Sequence, residues 1–121
     1  MKIRFILSFL LCFAALYQWV WAAPQVLNYS GKISVSGQPF TGQAYFKFAL
    51  VNRSGTFSYW TNDGNFTLIQ EPQAAVSATL TDGVYSIPLG NPSLTNMQMI
   101  PDQIFKDHND AHLRIWFAQS A

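Results

Sequence analysis

Hydrophobic and polar residues alternate in short runs along most of the chain beyond residue 25. The clearest run places Ala44, Phe46, Phe48 and Leu50 at every second position. Because successive side chains of a strand point to opposite faces, this spacing predicts a β-strand with one buried face. Comparable alternation recurs over residues 27–35, 57–60, 76–80, 84–89 and 111–118.

Turn-forming residues separate these runs, which favours antiparallel pairing between neighbouring strands. Asp82 and Gly83 give the strongest signal, because Asp-Gly suits a two-residue hairpin turn. Gly31 interrupts the first run and predicts either a bulge or a close backbone approach. Further turns are predicted at 37–39, 52–55 and 62–65, and one helical turn at 101–105. The pattern therefore predicts an all-β, immunoglobulin-like antiparallel β-sandwich of about seven strands.

The first residues have a different pattern, which is typical of an export signal. Lys2 and Arg4 precede an apolar run from Phe5 to Tyr17, and small residues follow at Ala22 and Ala23. This order predicts a signal peptide over residues 1–22, cleaved between Ala22 and Ala23, and a β-sandwich domain over residues 23–121. An uncleaved membrane anchor is the alternative, because the apolar stretch approaches the length that a bilayer requires.

Export sets the expected location and chemistry of the domain, which we place outside the cell or at the cell surface. Cys12 is the only cysteine and lies within the predicted signal, so the domain would fold without disulfides. Beyond residue 22 the chain has five Lys and Arg residues against six Asp and Glu residues. Such a balance disfavours nucleic-acid binding, and we expect membrane contact only through the signal before cleavage.

Five segments of the chain together resemble the N-terminal module of secreted and surface bacterial proteins. In order, they read LNYSGKISVSGQPFTG, FKFALVN, TFSYWTNDG, LTDGVYSIPLG and HLRIWFA. The resemblance implies a β-sandwich directly after the signal peptide, which in larger relatives precedes stalk-like, repeat-rich or tail-fibre-like regions. It supplies no catalytic residues. Because the strand pattern runs almost to Ala121, we expect either a truncated chain or a module that continues into further regions.

His108 and His112 are the only histidines and are spaced as two ligands on one helical face would be. Their neighbours, Asp107 and Asp110, instead predict a polar turn that leads into the last strand. We therefore expect neither a metal site nor a cofactor. A small secreted hydrolase remains an alternative, and it would require one of these histidines beside a carboxylate and a hydroxyl.

Tyr59, Trp60 and Trp116 are the candidate ligand-binding residues, because exposed aromatic rings can stack on sugars or on other proteins. The competing interpretation is that these large side chains fill the space between two sheets. We expect a non-catalytic structural or adhesion module whose partners are downstream domains or other surface proteins. The alternative is a carbohydrate-binding module in which these aromatic side chains contact glycans.

Overall fold

The computed structural model of the chain describes residues 26–65 and 71–121. The predicted signal peptide and its cleavage site at Ala22 and Ala23 lie outside the described residues. Within the described ranges, no helix combines the length and the apolar character needed to cross a membrane.

The described residues form eight strands and one short helix, so the predicted all-β class is confirmed. In chain order, the strands are β1 (Leu27–Lys32), β2 (Ser34–Val35), β3 (Gln38–Pro39), β4 (Gly42–Val51), β5 (Ser58–Thr61), β6 (Val76–Leu80), β7 (Val84–Leu89) and β8 (His112–Ala118). Helix α1 (Gln103–Asp107) precedes β8. Two of the strands are only two residues long, and the remaining six correspond to the predicted runs.

Strand β4 organises the larger sheet, because it pairs with three other strands. It pairs antiparallel with β6 over residues 42–46 and with β5 over residues 49–51. Residues 45–51 also pair antiparallel with β8. Since Phe46 and Ala49 each have two partners, β8 occupies one edge of β4 while β5 and β6 share the other.

Strands β1 and β7 form a separate two-stranded antiparallel sheet that packs on the larger one. Tyr85 of this small sheet lies 4.6 Å from Phe46 of β4, measured between ring centroids. Phe46 and Phe48 have no exposed surface, and Ile87 and Leu89 are almost completely buried with them. The core thus lies between two antiparallel sheets, as the alternation along β4 and β7 predicted.

Two hairpin turns show how local sequence sets the register. Asp82 and Gly83 both have positive φ, at 53° and 78°, and Val84 N–H donates to the Thr81 carbonyl at 3.0 Å. This conformation is a type I′ turn, so the predicted Asp-Gly hairpin is confirmed. The turn predicted at 37–39 begins one residue earlier, because Ser36 and Gly37 have positive φ while Pro39 pairs with Ser34.

Gly31 is a point of close approach, one of the two possibilities that its position predicted. It pairs in regular register with Tyr85 across β1 and β7, and a Cβ added to it would lie 2.6 Å from the Tyr85 hydroxyl oxygen. Only a residue without a side chain leaves room for this ring, which also packs against Phe46.

Candidate functional site

Of the three candidate aromatic residues, Trp60 is part of the core. It is 4% exposed, and its indole N–H donates to the Met99 carbonyl at 3.0 Å. Trp60 is paired with Leu50 of β4, so it projects from the same face as the buried side chains of that strand. The Trp60 side chain thus fills space between the sheets, which is the competing interpretation given above.

Tyr59 points to the other side of β5, where it meets two residues that precede β8. Its ring stacks on the His108 imidazole with a centroid distance of 3.8 Å and an interplanar angle of 13°. Its hydroxyl donates to Asp110 Oδ1 at 3.0 Å, and Asp110 Oδ2 accepts the Arg53 backbone N–H at 3.3 Å. Asp110 therefore ties β5 and the loop after β4 to the segment before β8.

The charges and hydrogen bonds of this cluster favour a structural role for Tyr59 over a nucleophilic one. Desolvation of the Tyr59 ring, followed by the hydrogen bond to Asp110 and its charge, raises the pKa of Tyr59. The Arg53 backbone N–H, and after it the Tyr59 hydroxyl, lower the pKa of Asp110. A nucleophilic tyrosine requires a stabilised phenolate, whereas this arrangement stabilises the neutral phenol beside a charged carboxylate.

The two histidines do not share a helical face. His108 is the residue that follows α1, and His112 is the first residue of β8. His112 Nδ1 lies 2.6 Å from the Asp110 carbonyl oxygen, within the polar turn that the sequence predicted. Across residues 26–65 and 71–121, no group of three or more His, Cys, Asp or Glu side chains is arranged to hold a metal ion.

Trp116 also lies on the outer face of the larger sheet, beside a cavity that Tyr59 does not line. It pairs with Lys47, and the diagonal neighbour Tyr45 shares the same face. These side chains line a cavity of about 80 Å³ whose wall includes Glu71, and Lys47 Nζ lies 3.0 Å from Glu71 Oε1. A neighbouring cavity of about 430 Å³ shares Tyr45 and Lys47. The outer face thus combines partly buried aromatic rings with an ion pair.

Strand β8 combines an open backbone edge with apolar side chains that are incompletely covered. One of its edges pairs with β4 along all seven residues, and within the described parts of the chain the other edge has no strand partner. Its core-facing side chains are only partly buried, whereas those of β4 beside them are at most 4% exposed. The core-facing side chains of β8 are Leu113, Ile115 and Phe117.

The widths of the two sheets explain this partial burial. Where β5 or β6 lies across β4 from β8, the larger sheet is three strands wide, whereas the sheet of β1 and β7 is two strands wide. With strands spaced about 4.8 Å apart, the smaller sheet cannot cover all three positions. Phe40 partly compensates by packing edge-on against Phe117, with a centroid distance of 5.8 Å.

Sequence reasoning missed a buried polar centre at Asn62, which it assigned only to a turn. Asn62 has no exposed surface, and its side-chain oxygen accepts the Phe48 backbone N–H at 2.9 Å. Its side-chain nitrogen donates to the Ala74 and Asn96 carbonyls at 2.8 and 3.0 Å. The Asn-Asp pair within a turn was the only available signal, because these partners are distant in sequence.

Comparison with known proteins identifies a family but no function. The model of a domain of unknown function, DUF8740, matches residues 28–121, which include every strand except the first residue of β1. No curated protein and no solved structure matches the chain. The chain therefore belongs to the DUF8740 family of domains of unknown function.

Proposed function

We propose that this chain is a non-catalytic structural or adhesion module of an exported protein, and that it assembles with other protein segments through β8. The open edge of β8 is the observation that carries this proposal. Unpaired N–H and C=O groups along such an edge form a template for an additional strand. Export itself is inferred from the sequence of residues 1–22, and the resemblance to surface modules agrees with it.

β8 is the longest of the strands at the sheet edges, and it also differs from them in composition. It has seven residues, whereas β5 and β6 have four and five. Strand β7 contains Pro88, and β1 contains Gly31 and ends at Lys32, all of which discourage a further strand. Strand β8 contains neither proline nor glycine, and Arg114 is its only formally charged residue.

Arg114 does not protect this edge, because its guanidinium is engaged elsewhere. Its Cζ atom lies 6.0 Å from the centroid of the Trp116 ring, and Nη1 donates to the Gly55 carbonyl at 3.4 Å. The charge is therefore directed over the outer face and toward the loop after β4. An approaching strand would meet backbone groups and partly buried apolar side chains, as strand addition requires.

Photo-crosslinking in a secreting host tests this function. A photo-reactive residue is introduced at His112 or at Ala118, which are the two ends of β8, and at exposed Val84 of β7 as a control. If an extended strand pairs with β8, both positions crosslink to one partner segment, at sites about six residues apart. Scattered crosslinks, or crosslinks as frequent from Val84 as from β8, would contradict the proposal.

A second candidate function is carbohydrate binding on the outer face of the larger sheet. Trp60 does not contribute to it, because this residue is buried in the core. Tyr45 and Trp116 border the cavity there, and the Lys47–Glu71 ion pair supplies charged groups that can bond to sugar hydroxyls. Calorimetric titration with maltose, cellobiose and chitobiose tests it. Trp116→Ala should abolish binding while Tyr59→Ala, at a different site, should preserve it. Absence of binding by the unaltered chain would exclude these sugars.

A further inference from the structure

We infer that the strand received by β8 is the β8 of a second copy of this chain, paired antiparallel about a two-fold axis at Ile115. This inference rests on the proposed function of β8 as an open edge and names the partner. Antiparallel pairing of two identical edges closes after two copies, so it forms a dimer and leaves neither β8 open. The sequence of β8 determines which register such a dimer adopts.

The first constraint comes from the two faces of the strand. Leu113, Ile115 and Phe117 face the core, while Arg114 and Trp116 face outward. Directly opposed residues of an antiparallel pair lie on the same face of the sheet. A continuous sheet across the two copies must therefore oppose core-facing residues to core-facing residues, which requires the two-fold axis to pass beside a residue and not between two residues.

The second constraint is the chemistry of the opposed pairs. An axis at Arg114 would place two arginines directly opposite each other, which is destabilising. An axis at Trp116 would oppose Leu113 to the polar Gln119 outside the strand. Axes nearer the ends of β8 would pair fewer residues. Each of these alternative registers therefore brings like charges together, loses an apolar contact or pairs fewer residues.

An axis at Ile115 avoids each of these costs. Leu113 then opposes Phe117 of the second copy, and Ile115 opposes its own counterpart, so partly buried apolar side chains cover one another. On the outer face, Arg114 opposes Trp116 of the second copy. Within one chain this guanidinium already lies 6.0 Å from the Trp116 ring centroid, so the same type of contact is repeated across the interface.

This register also extends the core across the dimer. The two β8 strands would lie side by side at the centre of one sheet, and the core-facing side chains that the smaller sheet leaves partly exposed would be covered by those of the second copy. The pairing therefore uses both features that distinguish β8, its free backbone edge and its incompletely covered apolar face.

Disulfide trapping tests the register in the purified chain carrying Cys12→Ser, so that each introduced cysteine is the only one. One preparation carries His112→Cys and the other carries Ala118→Cys, both at exposed positions. The two-fold axis at Ile115 opposes residue 112 to residue 118. In a single preparation, identical cysteines would be about 20 Å apart, too far for a disulfide.

The mixture should therefore give a disulfide-linked heterodimer, and each preparation alone should stay largely monomeric on non-reducing gels. Equal linkage in all three samples, or none in the mixture, would overturn the homodimer.

The photo-crosslinking experiment distinguishes failure of the homodimer from failure of the proposed function. Crosslinks from both ends of β8 to a segment of another protein would reject the second copy while supporting strand addition at β8. Absence of crosslinks from β8 to any extended segment, whether of another protein or of a second copy, would reject both.

Discussion

The side-chain oxygen of Asn62 accepts the backbone N–H of Phe48 at 2.9 Å, and neither residue has exposed surface. Asn62 N–H in turn donates to the Phe48 carbonyl at 3.0 Å, so the two residues are joined through both backbone groups of Phe48. The side-chain nitrogen of Asn62 also donates hydrogen bonds to the Ala74 and Asn96 carbonyls. One side chain therefore connects the central strand to two loops.

Replacing Asn62 should therefore destabilise the whole domain. Asn62→Ala removes one buried and two partly buried hydrogen bonds and leaves their backbone partners unsatisfied, so we expect a loss of about 3 kcal/mol in unfolding free energy. Urea denaturation followed by tryptophan fluorescence measures this loss. Asn91→Ala is the matched control, because the Asn91 side chain accepts local hydrogen bonds from Ser93, and it should cost less than about 1 kcal/mol. Equal losses in the two variants would contradict a special role for Asn62.

The neighbouring carboxylate of Asp63 predicts a dependence of stability on pH. Partial burial alone would raise its pKa, but hydrogen bonds from Ala74, Asn65, Thr61 and Gln73 outweigh burial and lower the pKa below its ordinary value of 3.8. A lowered pKa in the folded state means that the charged form contributes stability above the unfolded pKa. This contribution is lost as the pH falls through the folded pKa.

Asp63→Asn should accordingly be less stable than the unaltered chain near neutral pH and should lose less stability on acidification below about pH 4. Urea denaturation between neutral and acidic pH measures both curves. Because short hydrogen bonds are screened little by salt, the difference should persist at high ionic strength. Parallel curves at all pH values would show that Asp63 does not carry this effect.

Gly31→Ala tests the close approach of Tyr85 to the β1 backbone. The added methyl group would overlap the Tyr85 ring, which packs against Phe46 and cannot move freely. We expect a loss of about 1–3 kcal/mol in unfolding free energy, measured by thermal or urea denaturation. In a double-mutant cycle with Tyr85→Leu, the added methyl group should cost much less. If Gly31→Ala cost as much in the Tyr85→Leu background as in the unaltered chain, its effect would not come from contact with the Tyr85 ring.

Asp110→Asn tests the link between Tyr59 and the segment before β8. Removing the charge and weakening the hydrogen bond should lower the pKa of Tyr59 toward its ordinary value of 10.0. Ultraviolet absorbance titration of the unaltered chain and of Asp110→Asn measures this change in the pKa of Tyr59. Tyr85 provides an internal reference, because burial, followed by its hydrogen bond and charge interaction with Tyr29, raises its pKa to about 12 through contacts remote from Asp110. Identical titrations would contradict the link.

Local patterns in the sequence were sufficient to predict the six longer strands and several turns. Phe46 and Phe48 are buried as their alternation requires, and Asp82-Gly83 forms its hairpin because the conformational preference lies within the two residues. The long alternating runs likewise predicted β4 and β8 close to their observed bounds.

Features that depend on distant partners could not be predicted in this way. Asn62 bonds to carbonyl groups 12 and 34 residues away, so its role exists only after the loops have packed. Trp60 was ambiguous because alternation alone does not say which face of β5 is inward, whereas its pairing with Leu50 does. The open edge of β8 likewise follows from pairing with β4, about 65 residues earlier, which no local pattern encodes.

Amide hydrogen exchange in β8, recorded by nuclear magnetic resonance, tests the open edge most directly. In dilute, monomeric chain, we predict that protection alternates along residues 112–118, because amides directed at β4 are bonded while those at the free edge meet water. As concentration rises and the second copy pairs, the rapidly exchanging amides should become protected. Uniform protection of all these amides in the monomer would show that the edge is already covered and would contradict the account.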